Sequence, residues 1–565
     1  MSAGPDDGVL VTARAWLAQD PDPQTRAQLS ELITRVEERD ADASAELADR
    51  FAGRLAFGTA GLRGELGAGS NRMNRVLVAQ AAAGLAAFVS ERAADEDRVP
   101  TVVIGYDGRR NSDVFAQDSA ELFAGAGLRA ILLPRLLPTP VLAFAVRRLG
   151  ADAGVMVTAS HNPPNDNGYK VYLGGADDGA QIVSPADAEI AAHIQRIADA
   201  GDVATLPRSL GYETAPESLV DAYIDATAAV APAPEGAEGL VWVYTAMHGV
   251  GWETLSRILA VAGYPPPVPV APQLDPDGSF PTVAFPNPEE PGAMDLAFET
   301  ARGANADLVI ANDPDADRLA VAVPDPHAHG GWRRLTGNQI GLLLGWRAAR
   351  LAREAGVAPG ASLACSLVSS PGLKAVADHY GLDFHTTLTG FKWISRAPGL
   401  VYGFEEALGY LVNPETVRDK DGISAAIAML GLVTEARGRG ESLARVLAEF
   451  DATFGFFASD QISIRVDDLS RIERIMAALR ERHPESIGGV GVAEVEDLRD
   501  GVDDLPPGDV LRLWMADGSR VIVRPSGTEP KLKVYLDVRG DSTDDAKARI
   551  TALSDGAREL LDALG

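Results

Sequence analysis

Cysteine, positive charge and long apolar runs are all scarce in this chain of 565 residues. The one cysteine, Cys365, excludes an intramolecular disulfide and is typical of a reducing cytoplasm. The 51 Lys and Arg residues against 80 Asp and Glu residues give a net charge of -29, which disfavours binding to nucleic acid and anionic membranes. No segment reaches the ~18 apolar residues of a membrane span, and the first ten residues lack a signal-peptide pattern. We therefore expect a cytoplasmic protein with neither nucleic acid nor membrane as a partner.

The length predicts several domains, because one domain holds ~100–200 residues. Short β-branched runs at 102–104, 131–133 and 155–157 alternate with helical stretches such as 114–125. This alternation predicts α/β layers with largely parallel, buried strands.

Patterns at the two ends of the chain are different. Near the N-terminus, apolar residues at 29, 32, 33 and 36 predict one face of a helix, with Thr25 and Gln28 as a capping box. Near the C-terminus, apolar and polar residues alternate strictly over 532–539, which predicts half-exposed antiparallel strands.

A serine in a loop is the first candidate reactive group. Residues 158–164 read Thr-Ala-Ser-His-Asn-Pro-Pro and follow an apolar run, and α/β proteins hold ligands at the carboxyl ends of such strands. Ser160 could act as a nucleophile, His161 could orient or deprotonate a group, and Lys170 could neutralise a phosphate or transfer a proton. Taken alone, the segment could also be an ordinary turn.

Three carboxylates alternate along a second segment, Asp313, Asp315 and Asp317. Oxygen ligands that converge in this way suit Mg²⁺, and the spacing does not fit a calcium-binding EF-hand. Close, unneutralised carboxylates repel one another, which disfavours a purely structural role. An acidic surface turn is the alternative in a chain as acidic as this one.

A third segment, residues 524–531, is rich in phosphate-binding groups. Arg524, Ser526, Thr528 and amide groups around Gly527 could form a phosphate cradle, and Lys533 adds positive charge. The alternative is a β-turn between two strands.

Two further segments are less specific on their own. Residues 57–64 form a Gly-rich stretch with Arg63, but without the pattern of a dinucleotide site. Residues 403–409 place Glu405 and Glu406 between glycines, where a carboxylate could accept hydrogen bonds from sugar hydroxyls or could simply face solvent.

Together these segments describe phosphoryl transfer on a sugar, and they resemble the α-D-phosphohexomutase family, which includes phosphoglucomutase and phosphomannomutase. The strings TASHNP, DPDADR and RPSGTEPK carry the resemblance in the family's order. The strings at 57–64 and 403–409 look most like the phosphoglucomutase-2/phosphopentomutase-like branch. One departure is Ala407, where many members have a serine that binds the sugar.

The resemblance implies an α/β fold of three similar α/β domains with mixed sheets, plus a smaller C-terminal α+β domain, around a central cleft. The expected domains span 1–215, 216–330, 331–452 and 453–565, and carry the phosphoserine, metal, sugar and phosphate loops in that order.

The resemblance also implies roles for individual residues. Ser160 matches the phosphoserine, and with Asp313, Asp315 and Asp317 it would bind Mg²⁺. Arg63, His161 and Lys170 match residues near the reacting phosphate. The remaining matches are implied to bind substrate: Arg318, Thr389, Gly390, Lys392, Glu405, Lys420, Arg524, Ser526, Gly527, Thr528 and Lys533.

The implied activity is interconversion of a hexose 1-phosphate and a hexose 6-phosphate, with glucose as the first choice, through a phosphoserine and a bisphosphorylated sugar. Glucose 1,6-bisphosphate is the expected activator, and a monomer or weak homodimer is the expected state. Mannose and pentose phosphates stay open as substrates, and either Lys170 or His161 could be the base. The alternative functions are a metal-dependent sugar phosphatase and a non-catalytic sugar-phosphate sensor.

Overall fold

The computed structural model describes residues 5–58, 61–466, 468–503, 505–526 and 531–564. By their contacts the residues divide into two compact units. The first contains Met1–Arg334 and Asn413–Gly431, and the second contains Leu335–Val412 and Leu432–Gly565.

Three helices begin the first unit: α1 (Pro5–Gln19), α2 (Pro23–Glu37) and α3 (Ala41–Arg50). The predicted face of α2 is confirmed, since its four apolar residues are buried. The predicted capping box is wrong. Asp22 caps the helix by accepting a hydrogen bond from the Gln24 amide, and the Thr25 hydroxyl instead donates to Asp20.

A mixed sheet of seven strands follows in the first unit. Its order is β1-β5-β4-β2-β3-β7, with β6 beside β5; β2, β3 and β4 are parallel, and β1 and β5 are antiparallel to their neighbours. The large apolar cluster of this unit packs against it. The elements are β1 (Leu62–Glu65), α4 (Arg75–Arg92), β2 (Thr101–Tyr106), α5 (Ser112–Gly125), β3 (Arg129–Leu132), α6 (Thr139–Arg148), β4 (Ala153–Val157), β5 (Asp166–Leu173), β6 (Ala180–Gln181), α7 (Ala186–Ala200) and β7 (Glu213–Thr214).

A second mixed sheet completes the first unit, in the order β12-β11-β10-β8-β9. Strands β8, β9 and β10 are parallel, whereas β11 and β12 run antiparallel. The elements are α8 (Glu217–Ala228), β8 (Trp242–Thr245), α9 (Gly251–Ala262), β9 (Val268–Pro269), α10 (Asp295–Ala304), β10 (Leu308–Asn312), β11 (Leu319–Pro324) and β12 (Trp332–Arg334).

A third mixed sheet, in the order β14-β13-β15-β16, lies in the second unit. Strands β13, β14 and β15 are parallel, and β16 returns antiparallel to β15. Cys365 is buried within β13. The elements here are α11 (Gly337–Glu354), β13 (Ser362–Ser366), α12 (Gly372–Tyr380), β14 (Asp383–Thr387), α13 (Phe391–Ile394), β15 (Leu400–Glu405), β16 (Gly409–Leu411) and α15 (Leu443–Phe454). Helix α14 (Gly422–Gly438) begins in the first unit and ends in the second.

The C-terminal sheet is antiparallel, as predicted, in the order β17-β22-β21-β20-β19-β18. The expectation of a solvent-exposed polar face is wrong for Tyr535 and Asp537, which are buried. Tyr535 packs in an apolar cluster with Leu367 and Val368, and Asp537 pairs with Arg520. The elements are β17 (Phe456–Arg465), α16 (Leu469–Glu481), β18 (Ser486–Ile487), β19 (Val490–Asp497), β20 (Leu511–Met515), β21 (Arg520–Pro525), β22 (Lys531–Gly540) and α17 (Thr543–Leu564).

Three mixed sheets and one antiparallel sheet confirm the predicted α/β class. Among the described residues, no helix combines the length and the apolar character needed to cross a membrane. The domain boundaries, the central cleft and the cytoplasmic location stay predictions. Short 3₁₀ helices connect several elements: Gly175–Asp177, Val203–Thr205, Ala237–Gly239, Ala271–Gln273, His329–Gly331 and Leu498–Asp500.

Candidate active site

Ser160 lies in the loop that follows β4, at the carboxyl end of that strand. Its backbone has φ 52, in the left-handed region, and its amide donates to the Thr158 hydroxyl at 2.8 Å. The Ser160 hydroxyl is buried, donates to Asp313 Oδ2 at 2.7 Å, and lies 3.1 Å from His161 Nδ1. The candidate nucleophile is therefore held between a carboxylate and an imidazole.

The three aspartates lie in the hairpin loop between β10 and β11. One carboxylate oxygen from each of Asp313, Asp315 and Asp317 lies within 4.8 Å of the others, and all three residues are 0 % exposed. The loop turns at Ala316, whose φ is 57, and the Arg318 amide donates to Asp313 Oδ1 at 3.0 Å. The predicted convergence of the carboxylates is thus observed.

Two lysines lie against the carboxylates. Lys170 Nζ is 2.7 Å from both Asp315 Oδ2 and Asp317 Oδ2, and Lys420 Nζ is 3.4 Å from Asp317 Oδ2. Burial would raise the pKa of Asp317, but the two lysines outweigh it and the pKa is lowered. Burial followed by the two neighbouring carboxylates raises the pKa of Asp313 well above its usual range. The cluster therefore still favours added positive charge.

The donor set fits a hard divalent cation. Among the described residues, Asp315 Oδ1 and Asp317 Oδ1 are buried without a hydrogen-bond partner, which is costly for carboxylate oxygens. Carboxylate oxygens are the ligands that Mg²⁺ prefers. A cation held by these oxygens and by Asp313 would also relieve the mutual repulsion of the three carboxylates.

His161 and Arg63 complete the surroundings of Ser160. Burial, together with Arg318 and Arg63, lowers the pKa of His161 well below its ordinary value, so this imidazole is neutral near pH 7. Arg63 lies on β1, opposite Gly168 of β5, and Nη1 donates to Asn162 Oδ1 at 3.2 Å. The last three residues of the Gly-rich segment, 62–64, thus begin an edge strand that brings Arg63 to the serine loop.

Thr139, at the start of α6, is a residue that sequence reasoning missed. Its hydroxyl donates to Asp315 Oδ2 at 2.5 Å, and its amide donates to the Asp315 carbonyl at 3.0 Å. The sequence around Thr139 does not indicate that it binds an aspartate of the cluster, because Asp315 is 176 residues away.

The loop that carries Lys420 is anchored by a neighbouring carboxylate. Asp419 Oδ2 accepts hydrogen bonds from the Tyr172 hydroxyl at 2.8 Å and from Gln181 Nε2 at 2.7 Å. Asp419 Oδ1 accepts from the Lys420 amide at 2.8 Å. Tyr172 and Gln181 belong to β5 and β6, so the first sheet fixes Lys420 beside the aspartates.

In the second unit, the paired glutamates have different surroundings. Both lie at the hairpin that joins β15 to β16. Glu406 Oε2 accepts hydrogen bonds from Ser366 at 3.2 Å and from Ser369 at 3.1 Å. Glu405 is half-buried at the end of β15. Glu406 is thus bound to Ser366 of β13 and to Ser369 in the segment that follows it, and sugar binding by Glu405 stays a prediction.

Thr389, Gly390 and Lys392 follow β14, at the same sheet edge as Glu405, because β14, β13 and β15 are adjacent and parallel. Gly390 has φ 104, a conformation that glycine adopts without strain. All three residues are half-buried. The second unit thus brings two of the predicted substrate-binding loops to one edge.

Arg524 and Lys533 are cross-strand partners in β21 and β22, so their side chains lie on one face. Arg524 donates to the Tyr535 hydroxyl, and the Ser526 amide donates to the Lys531 carbonyl at 2.8 Å, which closes the hairpin. Gly527 and Thr528 lie outside the described residues.

Family models for phosphoglucomutase/phosphomannomutase match four successive parts of the chain. Alpha/beta/alpha domain I matches residues 54–200, domain II matches 221–329, domain III matches 336–453 and the C-terminal domain matches 463–552. The chain belongs to the phosphoglucomutase/phosphomannomutase family. It is therefore a phosphomutase, a phosphotransferase isomerase that acts on a phosphorylated sugar, and the recognition made from the sequence is confirmed.

Relatives in this family carry several names. A probable phosphomannomutase of Haemophilus influenzae is 55% identical over 86% of this chain and 98% of its own length. A phosphoglucomutase of Staphylococcus epidermidis is 35% identical, covering 87% and 92%. The human phosphopentomutase is 33% identical, covering 93% and 90%. The names of these relatives therefore do not agree on one sugar.

A solved structure supports the fold. The phosphoglucomutase/phosphomannomutase family protein of Burkholderia thailandensis superposes with a TM-score of 0.67 at 21% identity, over 89% of this chain and 96% of its own. The similarity spans parts of both compact units and supports the fold of the part of each that it covers.

Proposed function

We propose that this phosphomutase interconverts glucose 1-phosphate and glucose 6-phosphate through a phosphate carried on Ser160. The observation that carries the proposal is the Ser160 hydroxyl, 2.7 Å from the Asp313 carboxylate at the edge of a buried cluster of aspartates and lysines. A buried serine beside a cation-binding cluster suits phosphoryl transfer, which depends mostly on positioning and electrostatics.

Each half of the reaction exchanges one P–O bond for another. The bond between phosphorus and Ser160 Oγ breaks as a bond forms to the free hydroxyl oxygen of the sugar phosphate. The sugar hydroxyl loses its proton and Ser160 Oγ gains one, and a bisphosphorylated sugar results. The bisphosphate then returns its other phosphoryl group to Ser160, so no water is consumed. Glucose 1,6-bisphosphate is the activator because it phosphorylates Ser160 directly.

His161 is the better candidate for moving the proton at Ser160 Oγ. Its Nδ1 lies 3.1 Å from that oxygen and the ring is neutral, so it can take the proton that Ser160 Oγ loses when Ser160 is phosphorylated and return it in the other half of the reaction. Burial alone would lower the pKa of Lys170, but Asp315 and Asp317 outweigh burial and raise it. Lys170 is therefore a poor base as it stands and serves better to neutralise charge.

Mg²⁺ is the proposed metal, held by Asp313, Asp315 and Asp317 with an oxygen of the Ser160 phosphate. Bound there, it would supply a positive charge that stabilises the negative charge growing on the phosphoryl oxygens. We expect exhaustive chelation to abolish turnover, and Mg²⁺ or Mn²⁺ to restore it much better than the larger Ca²⁺. Full activity after chelation would contradict the metal assignment.

The remaining residues are proposed to grip the substrate. Arg63, Arg318 and Lys420 surround the aspartates and would bind the reacting phosphate. In the second unit, Glu405 would accept hydrogen bonds from sugar hydroxyls. A further set would hold the other phosphate or line the path to it: Thr389, Gly390, Lys392, Arg524, Ser526, Gly527, Thr528 and Lys533.

Mannose 1-phosphate is the second candidate substrate, because the relative at 55% identity is named a probable phosphomannomutase. Glucose and mannose differ at a single carbon, so one hydrogen bond can decide between them. Ala407 lacks the hydroxyl that many family members offer next to Glu405, which bears on the same choice. A pentose phosphate is the third candidate, given the phosphopentomutase relatives.

A panel of 1-phosphates tests the function. Glucose, mannose and ribose 1-phosphates are each assayed with and without glucose 1,6-bisphosphate, with release of inorganic phosphate measured in parallel. We expect glucose 1-phosphate to give the highest kcat/KM, stimulation by the bisphosphate, and no free phosphate. Preference for mannose or ribose 1-phosphate would change the substrate assignment, and stoichiometric phosphate release would indicate a phosphatase instead.

A further inference from the structure

Arg109 is a buried arginine that the mechanism above does not use. It follows β2, which is parallel to and paired with β4, so it lies at the same sheet edge as the Ser160 loop. Its side chain is 1 % exposed. An arginine this deeply buried needs partners for its hydrogen-bond donors, and those partners identify what it does.

The guanidinium group of Arg109 donates to four backbone carbonyl oxygens of one loop. Nη2 donates to the carbonyls of Ser160 and Asn162, at 2.5 and 2.6 Å. Nη1 donates to the carbonyls of Pro163 and Asp166, at 2.9 and 3.1 Å. One planar group thus fixes the loop from the candidate nucleophile to the start of β5.

These contacts exclude Arg109 as a phosphate ligand. A guanidinium group has four N–H bonds on its two Nη atoms, and all four are engaged by loop carbonyls. The remaining donor, Nε, faces the Asp107 carboxylate, with 3.6 Å between Nε and Oδ2. Nε is buried without a hydrogen-bond partner among the described residues, so it is not exposed to the oxygens of a substrate.

Arg109 is itself held firmly in place. The Phe280 ring lies under the guanidinium group, with 5.0 Å from Cζ to the ring centroid. The Asp107 carboxylate beside it accepts hydrogen bonds from the Arg109 amide at 3.0 Å and from the Ser112 hydroxyl at 2.7 Å. The buried positive charge is therefore compensated and the side chain has one well-defined position.

The loop needs such support at Ser160. A serine with φ 52 is in the left-handed region, which non-glycine residues adopt only when surrounding contacts hold them there. Thr158 binds the Ser160 amide and Arg109 binds its carbonyl, so both backbone groups of the residue are fixed.

We propose that Arg109 is a positioning residue that holds the backbone of the Ser160 loop so that Oγ, or the phosphate on it, points at the reacting group. This inference rests on the proposed phosphoserine mechanism. It assigns Arg109 to the orientation of the nucleophile, separate from the residues that bind substrate or metal.

Arg109→Lys and Arg109→Ala test the proposal. A lysine keeps the charge but cannot reach four carbonyls, so both variants should misplace Oγ and lower kcat by about 100-fold. KM should stay within about twofold of the wild type, because no substrate contact is lost. The rate at which glucose 1,6-bisphosphate phosphorylates Ser160, followed by intact mass, should fall by the same factor as kcat. Guanidinium ions should restore at least a tenth of the lost activity to Arg109→Ala and none to Arg109→Lys.

Arg110→Ala is the matched control, since this neighbouring arginine is exposed and makes one side-chain hydrogen bond to the same loop, at Asn165. It should retain a near wild-type kcat. A wild-type kcat in Arg109→Lys, or an increase in KM without a decrease in kcat, would overturn the proposal while leaving the mutase function intact. Absence of mutase turnover in the wild-type protein would overturn the proposed function and this inference with it.

Discussion

Ser160 and the three aspartates of the first unit are buried and bonded to protein groups, whereas Glu405, Arg524 and Lys533 of the second unit are half-buried. In the first region the positions are set by contacts such as Ser160 with Asp313, which exist without substrate. In the second region we propose that the side chains make their functional contacts with the sugar and its phosphate, so these contacts form only when substrate is bound. The comparison predicts losses of turnover in the first region and smaller, mixed effects on binding and turnover in the second.

The largest effect should come from Asp315→Asn. Removing one negative charge from the cluster weakens cation binding and leaves Lys170 with one fewer carboxylate, so we expect kcat to fall by about 1,000-fold with the fold retained. Steady-state kinetics and the midpoint of thermal unfolding check this. Asp95→Asn, at an exposed carboxylate, is the control and should match the wild type. A decrease of less than tenfold in Asp315→Asn would remove this carboxylate from the metal site.

Arg524→Lys should have the largest effect among the variants of the second region. Lysine keeps the charge but loses the fork of donors that suits phosphate oxygens. Losing one charge-assisted hydrogen bond costs ~1.5–3 kcal/mol, which should lower kcat/KM by about tenfold or more. The phosphate content of Ser160 should be unchanged, because the variant alters orientation and not the nucleophile. Arg558→Lys, at an exposed arginine, is the control. Wild-type kinetics in Arg524→Lys would mean that residues 524–531 form only a turn.

The two glutamates offer a comparison inside the second region. Glu405→Gln should lower kcat/KM by about tenfold, because a charge-assisted hydrogen bond to the sugar is weakened. Glu406→Gln should instead lower the free energy of unfolding by about 1 kcal/mol, because its carboxylate binds Ser366 and Ser369. Kinetics and thermal unfolding of both variants decide this, and the opposite assignment of the two effects would contradict it.

The smallest effect concerns Asp451, in the last turn of α15 and outside both regions. Burial raises its pKa from 3.8 to about 6. The folded state therefore holds this proton more tightly than the unfolded state. Its contribution to stability is full below pH 3.8 and is lost as the pH rises through about 6. Asp451→Asn should remove that decline. The midpoint of thermal unfolding of the variant, relative to that of the wild type, should therefore increase as the pH rises from 4 to 7. The same difference in Asp95→Asn, or none in Asp451→Asn, would rule out this cause.

The central groups of the site were predictable from the sequence because their signals are local. Ser160 and Asp313 each follow a buried strand directly, so the rule that ligands bind at the carboxyl ends of strands found both. The alternation of apolar runs and helical stretches likewise predicted α/β layers with largely parallel strands, whereas three domains with mixed sheets were implied by the family resemblance. The antiparallel C-terminal sheet followed from the period of two over residues 532–539.

The supporting groups were not predictable, because their partners are far apart in the sequence and their residue types are ordinary. Thr139 binds Asp315 across 176 residues, and Tyr172 binds Asp419 across 247 residues. Tyr535 was wrongly expected at the surface, since a period of two does not show that a second apolar cluster covers the polar face. Arg109 follows a strand just as Ser160 does, so the same rule applied to β2 could have found it.

The location of the transferable phosphate tests the central claim most directly. The purified enzyme is incubated with glucose 1,6-bisphosphate and Mg²⁺, and its intact mass and phosphopeptides are then measured in the wild type and in Ser160→Ala. The account predicts one added phosphate, located on Ser160, which is lost when the enzyme turns over glucose 1-phosphate, and an inactive Ser160→Ala that gains none. A phosphate on another residue, or full activity in Ser160→Ala, would contradict it.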